Sequence, residues 1–201
     1  GVGTGATGGG VTTIPDGKIG VAQGFWVEPT STGTIQFTNA MRSDTNVQFF
    51  KTDNNINRIW MSLETPSGIP NNILVATLDD ATDGFDSKYD GKKFSGNAHV
   101  KFVSVIGNDE FAIQAIPTLS SNETKVVPLA LFTDETGIHT LGEVDRENIS
   151  SDMQIFIRDL ELGILHNVED GLYSVQLTGN QEYKNRFELV FSMGDISTNI
   201  N

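Results

Sequence analysis

The sequence contains no cysteine. This absence excludes disulfide bonds, thiol catalysis and zinc or iron–sulfur sites that depend on cysteine ligands. It does not indicate a compartment, because exported bacterial proteins often lack cysteine too. A chain of 201 residues can nevertheless bury a sufficient apolar core without covalent cross-links.

Basic residues are also scarce, with 13 Lys and Arg against 26 Asp and Glu and a formal net charge of −13. Binding to a phosphate backbone depends on clustered cations, so nucleic acid is excluded as a partner. No apolar run approaches the roughly 20 residues needed to span a bilayer, and the N-terminus lacks a signal-peptide pattern. We therefore expect no direct membrane insertion, and any export signal should lie outside this chain.

Sustained helical periodicity is missing as well. Short apolar or alternating segments recur about every ten residues, separated by turns rich in Gly, Pro, Asn and Asp. The spacing predicts an all-β fold, an antiparallel β-sandwich with a jelly-roll-like arrangement. In the last segment, Phe187, Leu189 and Phe191 share one face and are expected to be buried. Only TNAMRS, at 38–43, suggests a single helical turn.

Three regions are predicted along the chain. Residues 1–18 form a Gly-rich linker or loop, since six of the first ten residues are glycine and offer nothing to bury. Residues 19–193 form the β-sandwich domain. Residues 194–201 form a C-terminal tail.

The standard catalytic signatures are absent, including the GxSxG elbow, the P-loop and the Rossmann fingerprint. His99, His139 and His166 lie far apart and are predicted to be turn or strand-surface residues. We therefore predict that the protein is not an enzyme, although two carboxylates of a glycan-active hydrolase could still meet in space. Arg42 and Arg186 flank apolar segments and lie either in buried carboxylate pairs or at the surface.

The stretch LDDATDGFDSKYDGKKF, residues 78–94, holds five aspartates. Counted as a twelve-residue calcium loop, it suggests four ligands, which are Asp79, Asp83, Asp86 and Asp90. Position three is Ala81, however, and position twelve is Asp where a bidentate Glu is usual. The alternative is a pair of Asx-type turns at Asp83-Gly84 and Asp90-Gly91, with carboxylates capping local N–H groups. Calcium is the only cofactor that the sequence suggests.

Three aromatic residues are candidates for ligand binding. Trp26, Trp60 and Tyr89 could present flat faces to a sugar ring, as in a carbohydrate-binding module. Both tryptophans lie in strand-like segments beside apolar residues, where packing is the other interpretation.

Several segments together resemble a module of large secreted and cell-surface proteins of the Bacteroidetes, exported by the type nine secretion system. They occur in the family's order and spacing: IGVAQGFWVEP, GTIQFTNAMR, RIWMSLE, ILVATLDDATDGFDSKYDG, FAIQAI, VPLALF, MQIFIRDLELGILHNVEDGLYSV and NRFELVF. The resemblance implies a β-sandwich that precedes a C-terminal sorting domain, which would begin near GDISTNIN. It also implies a location, secreted or at the cell surface.

The resemblance implies no catalytic residues. We therefore expect a non-catalytic extracellular structural or adhesive module. Its partners would be neighbouring domains of a larger surface protein or other surface proteins. A carbohydrate-binding module that contacts glycans is the alternative, and a glycan-active hydrolase is a third hypothesis.

Overall fold

The computed structural model describes residues 31–42, 56–94 and 96–194. The predicted linker at 1–18, Trp26 and the tail from 195 onward lie outside these ranges. Residues 31–42 are exposed and include a 3-10 turn at Asn39–Met41, within the segment expected to form one helical turn.

The all-β prediction is confirmed, since strands account for 57% of the described residues and no α-helix occurs among them. A second 3-10 turn lies at Val168–Asp170. The strands are β1 (Asn57–Glu64), β2 (Pro70–Leu78), β3 (Gly91–Lys92), β4 (Val100–Ile106), β5 (Asp109–Pro117), β6 (Thr124–Thr133), β7 (Gly137–Glu147), β8 (Met153–Asp159), β9 (Ile164–Asn167), β10 (Tyr173–Leu177) and β11 (Gln181–Met193).

The described strands belong to one continuous sheet, in the order β10-β7-β1-β2-β5-β4-β6-β11-β8-β9, with β3 paired to β5. Every pair is antiparallel except β2 with β5, which run parallel. Parallel neighbours need a crossover connection. Here the crossover is the segment 79–108, which begins with the acidic stretch and also supplies β3 and β4.

The sheet curls into a nearly closed, barrel-like shape, and side chains connect its two edge strands. β9 and β10 are joined in sequence by the turn Val168–Asp170. The rings of His166 on β9 and Tyr173 on β10 lie 5.5 Å apart. The Tyr173 hydroxyl donates a hydrogen bond of 2.9 Å to Asp159 at the end of β8. Side-chain contacts thus bridge the gap that backbone pairing leaves open.

The apolar core lies inside the curled sheet and draws on β1, β2, β4, β5, β6, β7, β8, β10 and β11. The predicted burial of Phe187, Leu189 and Phe191 is confirmed. Val190 and Ser192, on the opposite face of β11, are buried as well. Over its last residues β11 is therefore buried on both faces, where it lies between β6 and β8.

Candidate functional site

The acidic stretch packs on the side of β5 that faces away from the core. Leu78, Ala81 and Tyr89 form a small apolar cluster with Ala115 of β5. Next to Ala115 in sequence, Ile116 points the other way and belongs to the main core. The crossover is thus anchored by apolar contacts, although most of its residues are acidic or polar.

Two of its aspartates accept hydrogen bonds from backbone N–H groups. Asp86 Oδ2 accepts from the Thr82 N–H at 2.6 Å. Asp90 Oδ2 accepts from the Asp86 N–H at 2.7 Å, and Asp90 Oδ1 accepts from the Ala115 N–H at 2.8 Å. These bonds are the capping contacts that the turn interpretation requires. Asp90 therefore connects the crossover to the backbone of β5.

The other predicted metal ligands lie elsewhere. Asp83 is exposed and forms an ion pair with Lys125 of β6, with Nζ to Oδ1 at 2.9 Å. Asp79 is exposed at the start of the loop. Across the ranges that the structure describes, no three His, Asp or Glu side chains are grouped so that they could hold a metal ion. The four aspartates are not brought together as one set of ligands.

The predicted turn at Asp90-Gly91 is wrong, because Gly91 begins β3. The turn lies just before it, where the Asp86 carbonyl accepts from the N–H groups of Tyr89 and Asp90. Asp90 is almost completely buried. Burial raises its pKa above the ordinary value, and the charge of Asp86 adds to this, while the hydrogen bonds from the Ala115 and Asp86 N–H groups oppose it.

Two of the three candidate sugar-binding aromatics, Trp60 and Tyr89, lie in the described part of the chain. Tyr89 is buried, and its hydroxyl accepts a hydrogen bond of 2.7 Å from Lys88 Nζ, which also lies 4.7 Å from the ring centre. Trp60 is half-buried on β1, next to the core residues Ile59 and Met61. Its neighbours across the sheet are Leu74 and Asp145.

Within the described ranges, a network of polar side chains that we call the Asp159 cluster consists of the buried residues Asp159, Tyr173 and Arg186 and the exposed Glu161. Arg186 donates to both carboxylate oxygens of Asp159, from Nε at 3.1 Å and from Nη2 at 2.9 Å. Its Nη1 lies 2.9 Å from Glu161 Oε2. Asp159 also accepts from the Tyr173 hydroxyl and from the N–H groups of Glu161 and Leu162. The arginine is therefore in a buried carboxylate pair, one of the two predictions for Arg186.

A β-bulge explains how Arg186 reaches the interior. The pairing register of β11 with β6 shifts between Lys184 and Phe187, and Asn185 adopts a left-handed φ of 62°. A bulge changes the direction of the side chains that follow it. Phe187 then pairs with Asp159 on β8, so the guanidinium of Arg186 lies beside that carboxylate.

The electrostatics of the Asp159 cluster follow from this geometry. Burial alone would raise the pKa of Asp159, but the hydrogen bond with Arg186, supported by the Leu162 N–H and the Tyr173 hydroxyl, outweighs burial and lowers it. Burial and the neighbouring carboxylate raise the pKa of Tyr173 to about 12. Asp159 is thus held ionised and Tyr173 protonated, which stabilises their contact.

The remaining arginine and the three histidines considered in the sequence lie partly at the surface and partly in the core. Arg42 and His99 are exposed, and His166 is partly exposed on β9. His139 was predicted at the surface and is instead completely buried, which corrects that prediction. Its ring nitrogens lie 2.8 Å from Thr133 Oγ1 and 3.1 Å from the Gly137 carbonyl oxygen, so burial leaves neither nitrogen without a partner.

A groove that the sequence analysis missed opens beside the first half of β6. There β6 pairs with β11, while its pairing with β4 begins only at Leu129. The resulting space has a volume of about 290 Å³. We call it the Gln114 groove; its lining residues include Gln114, Ile116, Ile106, Lys125, Pro128 and Asp83. A glutamine inside the apolar segment FAIQAI was the available signal.

The chain belongs to the family described as Domain of unknown function (DUF8693), whose model matches residues 2–191. No curated protein and no solved structure matches the chain. None of the helical segments in the described ranges is long and apolar enough to cross a membrane.

Proposed function

We propose that the chain is a non-catalytic structural or adhesive module of a secreted or surface-anchored bacterial protein. The observation that carries this proposal is the Asp159 cluster. Its charged and polar side chains form hydrogen bonds with one another, and these bonds stabilise the junction of β8, β10 and β11. A module that holds and presents neighbouring domains needs a rigid fold, and a buried polar network whose members all have hydrogen-bond partners provides rigidity.

The fold that we propose for this module is a β-sandwich with a jelly-roll-like arrangement, formed by the curled sheet. The support is the shared core, in which Met61 of β1 and Val75 of β2 belong to the same apolar cluster as Leu129 of β6 and Phe187 of β11. Two sheet faces that pack over a common core are the defining feature of a sandwich.

The segments that carry the family resemblance correspond to structural elements. RIWMSLE lies in β1, FAIQAI in β5, VPLALF in β6 and NRFELVF in β11, while MQIFIRDLELGILHNVEDGLYSV contains Asp159 and Tyr173. The similarity to exported Bacteroidetes modules therefore concerns the framework of the fold, which supports a structural role and leaves the location as part of the proposal.

A glycan-active hydrolase has less support. Hydrolysis of a glycosidic bond commonly uses two carboxylates on either side of that bond. Among the described residues, Asp83 is the one carboxylate that lines the Gln114 groove, and Asp152 is the one that lines a second groove near Ser151. Carbohydrate binding without hydrolysis is favoured by a specific observation, the polar groups of the Gln114 groove.

Localisation in the encoding bacterium tests the proposal. An antiserum against the purified chain should label intact cells, and brief treatment of the cells with protease should remove the signal. A strain with inactivated type nine secretion should lose surface labelling and accumulate the protein inside. An antiserum against a cytoplasmic enzyme, unable to label intact cells, is the control. Labelling that appears only after permeabilisation of both strains would contradict the proposal.

A further inference from the structure

Gln114 is unusual among the buried polar residues of the described chain. It is only 4% exposed, and its Oε1 atom has no hydrogen-bond partner. Buried side-chain polar atoms nearly always have a partner, and each exception calls for a reason. Gln114 lines a groove, so a rotation of its terminal amide toward the groove would bring this atom within reach of a bound ligand that supplies the missing partner.

The chemistry of the amide narrows the class of ligand. The oxygen and nitrogen of a carboxamide are assigned by their surroundings, so the buried atom of Gln114 is either an acceptor or a donor. A hydroxyl group can satisfy both cases, because it donates one hydrogen bond and accepts others.

A second pair of groups lies at the same groove. Lys125 Nζ is 2.9 Å and 3.1 Å from the two carboxylate oxygens of Asp83. An ammonium donor and a carboxylate acceptor thus lie side by side, and their charges compensate. Neighbouring hydroxyl groups on a ring can accept a hydrogen bond from the Lys125 ammonium and donate one to the Asp83 carboxylate. A strongly charged ligand would instead be repelled by whichever of these two groups carries the same charge.

The remaining walls are apolar. Ile106, Ile116 and Pro128 line the groove and offer contact to the C–H face of a ring. The volume of about 290 Å³ lies just below the roughly 300–1,000 Å³ that is usual for small-molecule sites. Its size therefore suits one or two rings rather than a long polymer.

We propose that the Gln114 groove binds a neutral sugar residue of a glycan through Gln114, Asp83 and Lys125. The inference goes beyond the structural role proposed above and does not depend on the location of the protein. A peptide is the other class of ligand with both donors and acceptors. It is disfavoured because β6 carries Pro128 at the groove, which offers no N–H group to an added strand.

Binding to the purified chain tests the proposal. A glycan array identifies ligands, and isothermal titration then follows a soluble neutral oligosaccharide taken from the array hits. Gln114→Leu keeps the size of the side chain and removes its hydrogen-bonding groups, so binding should weaken about tenfold or more. In a ¹⁵N spectrum of the unmodified protein, the Gln114 side-chain NH₂ signals should shift when the saccharide is added.

Gln176→Leu is the matched control, because Gln176 is an exposed glutamine on β10, and it should leave the affinity unchanged. Lys125→Met should weaken binding, whereas Lys184→Met, on the exposed part of β11, should not. Three results would overturn the proposal. They are the absence of any neutral glycan among the array hits, an affinity that is unchanged in Gln114→Leu, and Gln114-dependent binding of an acetylated tetra-alanine amide in place of the saccharide.

Discussion

Two buried aspartates in this molecule have pKa values that are shifted in opposite directions. Asp159 lies beside the guanidinium of Arg186, and its pKa is lowered. Within the described part of the chain, Asp90 accepts only from backbone N–H groups, and its pKa is raised. Backbone dipoles therefore compensate burial less completely than a full positive charge does. Asp159 connects β8 to β10 and β11 through Tyr173 and Arg186, whereas Asp90 holds the crossover against the backbone of β5.

The largest expected effect comes from removing the cation. Arg186→Met should lower the free energy of unfolding by about 3–5 kcal/mol, because it leaves the buried charge of Asp159 without its counter-ion. Urea unfolding measures the loss. Lys184→Met, which removes a mostly exposed cation from the same strand, should cost less than about 1 kcal/mol. A similar loss in both variants would mean that the Asp159 cluster contributes no more than a surface pair.

A smaller effect is expected at the second aspartate. Asp90→Ala removes the acceptor of the buried Ala115 N–H, so we expect a loss of about 1–3 kcal/mol. Hydrogen exchange at the Ala115 amide should become faster. Asp79→Ala, at an exposed position of the same loop, should change stability by less than about 0.5 kcal/mol. A loss at Asp90 equal to that of Arg186→Met would remove the distinction between the two sites.

The two aspartates should also respond oppositely to pH. The stability due to Asp159 is present above the ordinary Asp pKa, near 4, and is lost as the pH falls through its lowered folded-state pKa. The stability due to Asp90 is fully present below the ordinary pKa and is lost as the pH rises through its raised folded-state pKa.

Unfolding of the unmodified protein, Asp159→Asn and Asp90→Asn between about pH 3 and pH 6 measures these contributions. On acidification, the advantage of the unmodified protein over Asp159→Asn should shrink, while its advantage over Asp90→Asn should grow. A shift of both differences in the same direction would contradict the assignment of opposite pKa changes.

The sequence predicted what depends on local pattern. Alternation placed Phe187, Leu189 and Phe191 in the core, and the flanking apolar residues marked Arg186 as a candidate for a buried pair. It could not identify Asp159 as the partner, because the two residues are 27 positions apart and a bulge sets their contact.

Other features depend on contacts between distant segments. Tertiary packing buries His139, and the parallel pairing of β2 with β5 follows from the whole topology. The Gln114 groove exists because β4 and β6 pair over only part of their length. None of these properties has a periodicity that a sequence segment could reveal.

The smallest expected effect concerns calcium at the acidic stretch. Asp83 is paired with Lys125, Asp86 accepts from the Thr82 N–H, and both oxygens of Asp90 accept backbone N–H groups, so three of the four predicted ligands already have partners. Calcium would have to displace these contacts, and the four carboxylates would have to move together. We therefore expect the melting midpoint to be the same, within about 1 °C, in EDTA and in several millimolar calcium, since a ligand stabilises a fold only in proportion to its binding. A rise of several degrees that Asp83→Asn abolishes would instead establish the calcium loop, and it would show that the crossover rearranges around the ion.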